Sequence, residues 1–228
     1  MNICASYQVQ WWQTVLCSEI ANFLNPQTVR CKRKTTFQSM IAEQLKKFFD
    51  PFVCLNIQVW ENFEKLGEVQ NFSKETVLKA SNTTEKYLNI IIKGSGGNLI
   101  WNKNNFVCID IAFENEFLFD YMSFTLQVAT PIEVKLFEDA TIFRISHVNF
   151  QQTLVTGNYG EKITRLVAES SFIDKQQQQI DLLTKTAKER YLEQLKTRKG
   201  IEKTPLKYLA SYLGITPQSL SRIRTEKI

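Results

Sequence analysis

The chain has 228 residues, of which 43% are hydrophobic and 22% charged, so it can bury a sizeable core in one or two domains. It has no run of 18 or more apolar residues and no basic start followed by an apolar stretch, so we expect a cytoplasmic protein without membrane span or secretory signal. The net charge of +5 is uneven, because residues 175–228 carry 12 Lys and Arg against 5 Asp and Glu, whereas residues 1–174 carry 16 against 18. This asymmetry favours binding to a polyanion through one domain, although a solvated charged helix would have the same composition.

The sequence shows no nucleophile elbow, metal-ligand cluster or histidine pair. His147 is the single histidine and directly follows a predicted strand, so we interpret it as structural. Five cysteines occur without a C-x-x-C pair or metal-ligand spacing, and we expect them to be reduced thiols: Cys4, Cys17, Cys31, Cys54 and Cys108. The sequence therefore predicts no catalytic residue, no metal site and no cofactor, and it gives little support to an enzyme.

Residues 1–39 differ from the rest, with three cysteines, a Trp11–Trp12 pair and a basic run at Arg30–Lys34. A clean amphipathic helix then begins at Met40 and continues to Phe49. Two interpretations stay open: Met40 is the natural start and the preceding residues come from an upstream start assignment, or they form a genuine N-terminal arm.

Short strands are predicted between about Phe63 and Phe150. Stretches rich in β-branched and aromatic residues alternate with turn signals every 8 to 12 residues or so, which is typical of a sandwich or barrel. The predicted strands are Tyr87–Lys93, Leu99–Trp101, Phe106–Ile111, Ile132–Phe137 and Thr141–Ile145. A tight turn is predicted at Gly94–Gly97, which is no phosphate-binding loop because no Gly-Lys-Ser/Thr follows it.

A long helix is predicted from about Gly160 to Leu183. Its residues at alternating steps of three and four form a heptad seam, apolar at one position and mostly polar at the other: Ile163, Leu166, Ser170, Ile173, Gln177 and Ile180. This seam could pair with a second copy of the chain or pack against the chain's own barrel. A second helix is predicted over about Thr186–Arg198.

The last 25 residues predict a helix-turn-helix. Thr204 and Thr216 are candidate helix caps, and each precedes a proline suited to the first helical position. Gly214 can end the first helix in the left-handed conformation. Apolar residues fit two crossing helices: Leu206, Leu209, Ala210, Leu213, Ile215, Leu220 and Ile223. An ordinary helical hairpin is the alternative.

The order of elements, helix, β-barrel, long helix and helix-turn-helix, resembles the Crp/Fnr superfamily of bacterial transcription regulators. Two stretches carry the resemblance: residues 113–146, which contain Glu138-Asp139-Ala140-Thr141-Ile142-Phe143-Arg144-Ile145-Ser146, and the helix-turn-helix at Lys207–Arg224. It implies an α+β fold with a cyclic-nucleotide-binding-like β-barrel (a double-stranded β-helix, or jelly roll), a long dimerisation helix and a C-terminal helix-turn-helix. The expected domains are 1–39 as an extension, 40–157 as the barrel, 158–184 as the dimerisation helix and 185–228 as the DNA-binding domain.

The sequence departs from the family at the ligand pocket. Cyclic-nucleotide-binding members carry a Gly-Glu pair that holds the ribose and an Arg-Ser or Arg-Thr pair that holds the phosphate. The corresponding stretches, Phe113–Tyr121 and Ala129–Ile132, lack both pairs, and no arginine lies between Trp101 and Arg144. We therefore predict no binding of cyclic AMP, since its phosphate would lack a fork of donors. The pocket is filled by its own side chains or holds a less anionic ligand. The clustered N-terminal cysteines of the iron–sulfur members are also absent.

The resemblance implies that Pro217–Arg224 is the recognition helix, with its N-terminal residues at base edges. Gln218, Ser219 and Arg222 match positions that carry base contacts, and Arg222 could fork onto guanine while Gln218 pairs with adenine. Pro217 replaces a base-reading arginine of many members, so the operator should differ. Candidate phosphate contacts are Thr216, Ser221, Arg224, Lys203 and Lys207. The chain ends five residues past Ile223, so the β-wing of the family is expected to be missing or minimal.

The sequence therefore predicts a DNA-binding transcription regulator whose partners are double-stranded DNA and a second copy of the chain, joined through the Ile163–Ile180 helix. RNA polymerase is a further candidate partner. The competing interpretation is a β-barrel sensor module whose helical tail binds protein and not DNA.

Overall fold

The structure is a computed structural model that describes residues 38–50, 53–156 and 160–226. The chain divides into two compact units, Met1–Glu64 and Lys65–Ile228. Expectations about residues 1–37, including Cys4, Cys17 and Cys31, fall outside the described residues.

The first unit contains two helices, α1 at Gln38–Phe49 and α2 at Ile57–Glu64. The predicted helix at Met40–Phe49 is confirmed, and α2 was not predicted. Phe49 and Trp60 stack with ring centroids 4.7 Å apart, and both side chains are buried. Aromatic stacking of this kind adds to the burial that holds two short helices together.

The second unit begins with two antiparallel sheets and continues with helices. Sheet one has the strand order β1-β7-β3, and sheet two has the order β2-β6-β4-β5. The strands are β1 Gly67–Phe72, β2 Val77–Lys79, β3 Tyr87–Lys93, β4 Gly96–Asn102, β5 Asn105–Ala112, β6 Ile132–Leu136 and β7 Ala140–Ser146. The helices are α3 Tyr121–Leu126, α4 His147–Thr156, α5 Gly160–Thr184, α6 Ala187–Thr197, α7 Leu206–Tyr212 and α8 Pro217–Thr225, with a 3₁₀ turn at Ile201–Lys203.

The inner faces of the two sheets enclose an apolar core. Sheet one contributes β-branched residues such as Ile91 and Ile142, which face each other in the β3–β7 register. Sheet two contributes Val134 and Leu136, and Leu118 reaches in from the loop before α3. All five side chains are at most 2% exposed. Inward residues separated by two along each strand are what a two-layer β structure requires.

The tight turn predicted at Gly94–Gly97 is wrong in its second half, because Gly96 and Gly97 begin strand β4. A Cβ atom at Gly96 would lie 2.5 Å from Leu118 Cδ2, and one at Gly97 would lie 2.5 Å from the Asp110 carbonyl oxygen. These glycines are therefore required by close packing inside the sheet, and only Gly94, with φ of +108°, has the backbone of a turn.

Candidate nucleic-acid interface and barrel interior

Helices α7 and α8 lie where the sequence predicts a helix-turn-helix. Gly214 takes the left-handed conformation with φ of +68°, and its N–H bonds the Ser211 carbonyl at 3.0 Å. The N–H of Ile215 reaches the Ala210 carbonyl, also at 3.0 Å. Thr216 caps α8, because its hydroxyl accepts from the Ser219 N–H at 3.1 Å. The sequence signals for the turn and for the second helix thus have the expected geometry.

The expected cap at Thr204 is wrong. Helix α7 begins at Leu206, and its first hydrogen bonds end on the carbonyl of Pro205, 3.0 Å from the Tyr208 nitrogen. Thr204 is only 3% exposed, and its hydroxyl finds no partner among the described residues. The preceding 3₁₀ turn places Thr204 too early to serve the N–H groups of α7.

This difference predicts opposite results for the same substitution at two threonines. Thr216→Val removes a working cap and should lower the free energy of unfolding by about 1 kcal/mol. Thr204→Val keeps the shape and removes a buried hydroxyl without a partner, so it should be neutral or stabilising. Urea unfolding of both variants beside the wild type measures the contrast. Equal destabilisation by the two substitutions would contradict it.

The helix-turn-helix shares one apolar core with the outer face of sheet two. Buried residues of this cluster come from the barrel and from the C-terminal helices: Leu99, Cys108, Ile111, Phe113, Phe137, Tyr191, Ile201, Tyr208, Leu209, Ala210, Leu213 and Leu220. Ala210 is fully buried, as expected for a small residue where two helices cross closely. Helices α7 and α8 are therefore packed onto sheet two.

Strand β5 lies at the end of sheet two, so one row of its backbone groups lacks a strand partner. The Ser211 hydroxyl of α7 occupies part of this β5 edge. It accepts a hydrogen bond from the Cys108 N–H at 2.9 Å and donates one to the Phe106 carbonyl at 3.1 Å. The Ser211 side chain thus makes the two hydrogen bonds that a neighbouring strand would otherwise make at this point, and it holds α7 against β5.

The rest of the β5 edge is covered by the helices before the helix-turn-helix. Arg198 donates to the Ile111 carbonyl at 2.7 Å, pairs with Glu116 and lies over the Phe113 ring at 5.0 Å. Its guanidinium thereby joins the C-terminal end of α6 to the barrel.

Helix α5 contacts the same strand. Lys175 pairs with Asp110 at 2.7 Å, and Gln178 donates to the Ile109 carbonyl at 3.5 Å. Edge covering of this kind prevents β5 from pairing with a foreign strand.

Tyr208 joins α7 to the barrel. Its ring stacks on Phe137 with centroids 3.9 Å apart and lies 5.2 Å from the Phe106 centroid. Its hydroxyl donates to Glu75 Oε2 at 2.8 Å, and Lys207 Nζ lies 3.4 Å from Glu75 Oε1. Although burial opposes it, hydrogen bonds from Lys135 and Tyr208 hold the pKa of Glu75 below its usual value, so its carboxylate is charged at neutral pH.

The residues expected to read bases lie on α8. Gln218 and Arg222 are exposed, while Ser219 is half-buried and its hydroxyl lies 3.0 Å from that of Thr216. Spacing of four residues places Gln218 and Arg222 on one face of the helix.

The expected phosphate contacts are in different situations. Thr216, Ser221 and Lys203 are exposed. Lys207 pairs with Glu75 of the barrel, and Arg224 donates to the Tyr191 hydroxyl at 3.2 Å and to the Glu202 carbonyl at 3.3 Å. Three of the five candidates are thus engaged inside the chain, because the Thr216 hydroxyl also caps α8.

The barrel interior next to α3 holds a buried ion pair. Lys79 of β2 lies 3.2 Å from Asp120 Oδ2, and both side chains are at most 1% exposed. The Lys79 ammonium also donates to the Thr130 hydroxyl at 3.1 Å and to the Ile132 carbonyl at 2.6 Å. Its three protons therefore have three partners, which is what a buried ammonium requires.

Asp120 belongs to this network through two further contacts. It caps α3 by accepting from the Ser123 N–H at 3.0 Å, and it accepts from the Thr130 hydroxyl. Glu85 lies beside it and accepts from the Asp120 N–H at 3.3 Å. Burial raises the pKa of the Glu85 carboxyl. The two stretches that would hold a cyclic nucleotide by the resemblance, 113–121 and 129–132, thus meet at side chains that bind each other.

Sequence reasoning missed the residues that make these contacts: Lys79, Glu75, Arg198, Tyr208 and Ser211. Lys79 carried a weak signal for a place in a strand, since it directly follows the short apolar run Val77-Leu78. The others carried none, because their partners are up to 133 residues away in the sequence.

Helix α5 spans the predicted range. Leu166 of the predicted seam is buried within the chain, and Ile180 is 47% exposed. The most exposed apolar side chains of α5, Phe172 and Leu183, lie outside that seam at 69% and 78% exposed.

Within the described part of the chain, no group of His, Cys, Asp and Glu side chains could hold a metal ion. Cys54 is exposed and Cys108 is buried, and neither forms a disulfide. Burial raises the pKa of Cys108 to about 12, so this thiol is a poor nucleophile at neutral pH. None of the helices in the described ranges is both long and apolar enough to cross a membrane.

The sequence matches no family model and no curated protein. The fold, however, is similar to that of several solved structures. A c-di-GMP-responsive global regulator of Xanthomonas campestris, CLP, aligns with a TM-score of 0.57 at 14% identity over 74% of this chain and 89% of its own. FixK2 of Bradyrhizobium japonicum aligns with a TM-score of 0.59 at 12% identity over 70% of this chain and 83% of its own. A CooA mutant of Carboxydothermus hydrogenoformans aligns with a TM-score of 0.54 at 16% identity over 72% of this chain and 78% of its own.

The chain has the α+β, cyclic-nucleotide-binding-like fold that the sequence predicted. At these identities the likeness concerns the fold, and what the chain binds must be argued from its own residues.

Proposed function

We propose that this chain is a sequence-specific DNA-binding transcription regulator of the Crp/Fnr type that does not respond to cyclic AMP. The observation that carries the proposal is the α7–α8 geometry, with a capped second helix whose polar side chains Gln218 and Arg222 are exposed on one face. The similarity of the fold to several regulators supports it.

In this proposal α8 lies in the major groove, as second helices of such motifs do. Arg222 forks onto guanine, Gln218 pairs with adenine, and Ser219 contacts a base edge near the start of the helix. The exposed Thr216, Ser221 and Lys203 contact phosphates, which fixes position without reading sequence. Lys207 and Arg224 join them once their contacts inside the chain are released.

The proposed unit of binding is a homodimer held by α5, which would place two reading heads on half-sites one helical turn apart. Ile180 of the predicted Ile163–Ile180 seam supports this, because it is 47% exposed and its burial against a second copy is favourable. RNA polymerase is a further proposed partner of the DNA-bound dimer.

The proposal excludes cyclic AMP on the contacts of the barrel interior. An incoming cyclic phosphate would meet the buried Lys79–Asp120 pair, and the Asp120 carboxylate would repel it. Lys79 already has three partners, so binding would require the loss of an internal ion pair.

The test is recovery of fragmented genomic DNA by the full chain at two salt concentrations, comparing wild type, Arg222→Ala and Lys93→Ala. Both variants lose one exposed positive charge, but Lys93 ends strand β3 and does not belong to α7 or α8. The wild type and Lys93→Ala should enrich a motif with two-fold symmetry. Arg222→Ala should weaken binding to that motif by about 1–3 kcal/mol, roughly five- to 150-fold.

Enrichment that is uniform across sequences would reduce the proposal to a basic tail with non-specific affinity. No enrichment by the wild type would favour the alternative, in which the helical tail contacts protein. Isothermal titration with cyclic AMP tests the remaining part, and measurable binding would contradict it.

A further inference from the structure

The β1–β2 turn holds Glu75 in an unusual backbone conformation. Its φ is +65°, in the left-handed region that favours glycine or asparagine. The surroundings impose this conformation, since the Glu75 N–H bonds the Leu136 carbonyl at 3.1 Å and the Lys74 N–H bonds Asp139 Oδ1 at 2.7 Å. A glutamate kept where glycine would be unstrained suggests a role for its side chain.

The Glu75 carboxylate faces α7 and gathers three donors. Oε2 accepts from the Tyr208 hydroxyl at 2.8 Å and from Lys135 Nζ at 2.9 Å, while Oε1 lies 3.4 Å from Lys207 Nζ. Lys135 belongs to the barrel, so it holds the carboxylate in place whether or not α7 is present. Glu75 and Lys207 remain partly exposed, at 36% and 54%, so a ligand from solvent can reach the pair.

Lys207 is the second residue of the first helix of the motif, which crosses the DNA backbone in complexes of this kind. A carboxylate beside it has the charge and acceptor oxygens of a phosphate. Because the two anions repel each other, Lys207 cannot approach a phosphate closely while Glu75 remains its neighbour.

We propose that Glu75 is a positioning residue that occupies, in the DNA-free chain, the place a DNA phosphate takes at Lys207. Exchange of the carboxylate for the phosphate is then a step in DNA binding. Glu75 weakens that binding and fixes the position of helices α7 and α8 in the DNA-free chain. The inference builds on the proposed DNA-binding function and adds a residue of the barrel to it.

The exchange has a signature in the salt dependence of binding. A lysine that is free before binding releases about one counterion from the DNA when it contacts a phosphate. This steepens the slope of log affinity against log salt concentration by about one unit. Lys207 instead leaves the Glu75 carboxylate, which must regain a cation from solution. This uptake offsets the counterion released from the DNA, so the contribution of Lys207 to the slope largely cancels. Removal of Glu75 should restore it.

The test uses the full chain and the operator fragment recovered with the wild type, titrated over a range of salt. Glu75→Gln keeps acceptors for Tyr208 and Lys135 but removes the charge, and should bind about two- to fivefold more tightly at low salt. Its slope should steepen by up to about 1 per subunit. The control is Glu68→Gln on β1, which loses the same charge from an exposed carboxylate away from Lys207. Equal affinity and slope for Glu75→Gln and Glu68→Gln would overturn the proposal.

Lys207→Gln supplies a second measurement that does not depend on the fold tolerating a change at Glu75. In the wild-type background it should alter the slope by much less than 1 per subunit, and in the Glu75→Gln background by about 1. A full unit lost in the wild-type background would show that Lys207 is free before binding and would refute the exchange. Failure of the regulator proposal looks different, because no variant, wild type included, would then select a sequence.

Discussion

Replacing Lys79 with methionine is expected to lower the free energy of unfolding by about 3–5 kcal/mol. Methionine fills similar space but leaves the Asp120 carboxylate buried at 0% exposure with no cation beside it. The substitution also removes the hydrogen bonds that the ammonium donates to Thr130 and Ile132. Urea unfolding followed by far-UV circular dichroism measures the loss.

Two controls identify the unpaired charge as the cause. Asp120→Asn keeps an acceptor that can cap α3, so the double variant with Lys79→Met should recover more than half of the lost stability. Lys188→Met breaks an exposed pair with Glu226 at 2.6 Å and should leave the free energy of unfolding nearly unchanged. Strict additivity of the Lys79 and Asp120 substitutions would contradict this account.

The long, strongly patterned elements could be predicted from the sequence. Strands β3, β5, β6 and β7 carry runs of β-branched and aromatic residues, α5 carries helical spacing, and α8 has a cap at Thr216. Strand β1 was missed because it is an edge strand whose side chains are largely exposed, and β2 because it has only three residues. Patterns as short or as polar as these do not stand out from loops.

The contacts that position the candidate site could not be predicted in the same way. Ser211 meets Cys108 across 103 residues, and Lys79 meets Thr130 across 51. Such pairs depend on which strand ends the sheet and where its backbone groups remain open, and neither follows from local periodicity. The aromatic stretch near α3 indicated that the family's phosphate-binding pair is missing from the pocket. It did not indicate that Lys79 of β2 would lie there.

Tyr208→Ala is expected to cost about 3–5 kcal/mol, because the ring is 1% exposed and stacks between the barrel and the helix-turn-helix. Tyr208→Phe removes only the hydroxyl bonded to Glu75 and should cost about 1 kcal/mol. The matched control is Tyr121→Ala, a tyrosine that is 53% exposed and should lie within about 0.5 kcal/mol of the wild type.

Hydrogen exchange then separates loss of the docking contact from general destabilisation. If α7 leaves the barrel in Tyr208→Ala, the Cys108 N–H loses the Ser211 hydroxyl and should exchange much faster, while the N–H groups paired between β3 and β7 should change far less. Uniformly faster exchange across both sheets would mean that the sheets and helices α7 and α8 unfold only together. Unchanged exchange at Cys108 with stability like that of Tyr121→Ala would mean that the helix-turn-helix has an apolar core of its own, contrary to the shared cluster between Phe137 and Tyr208.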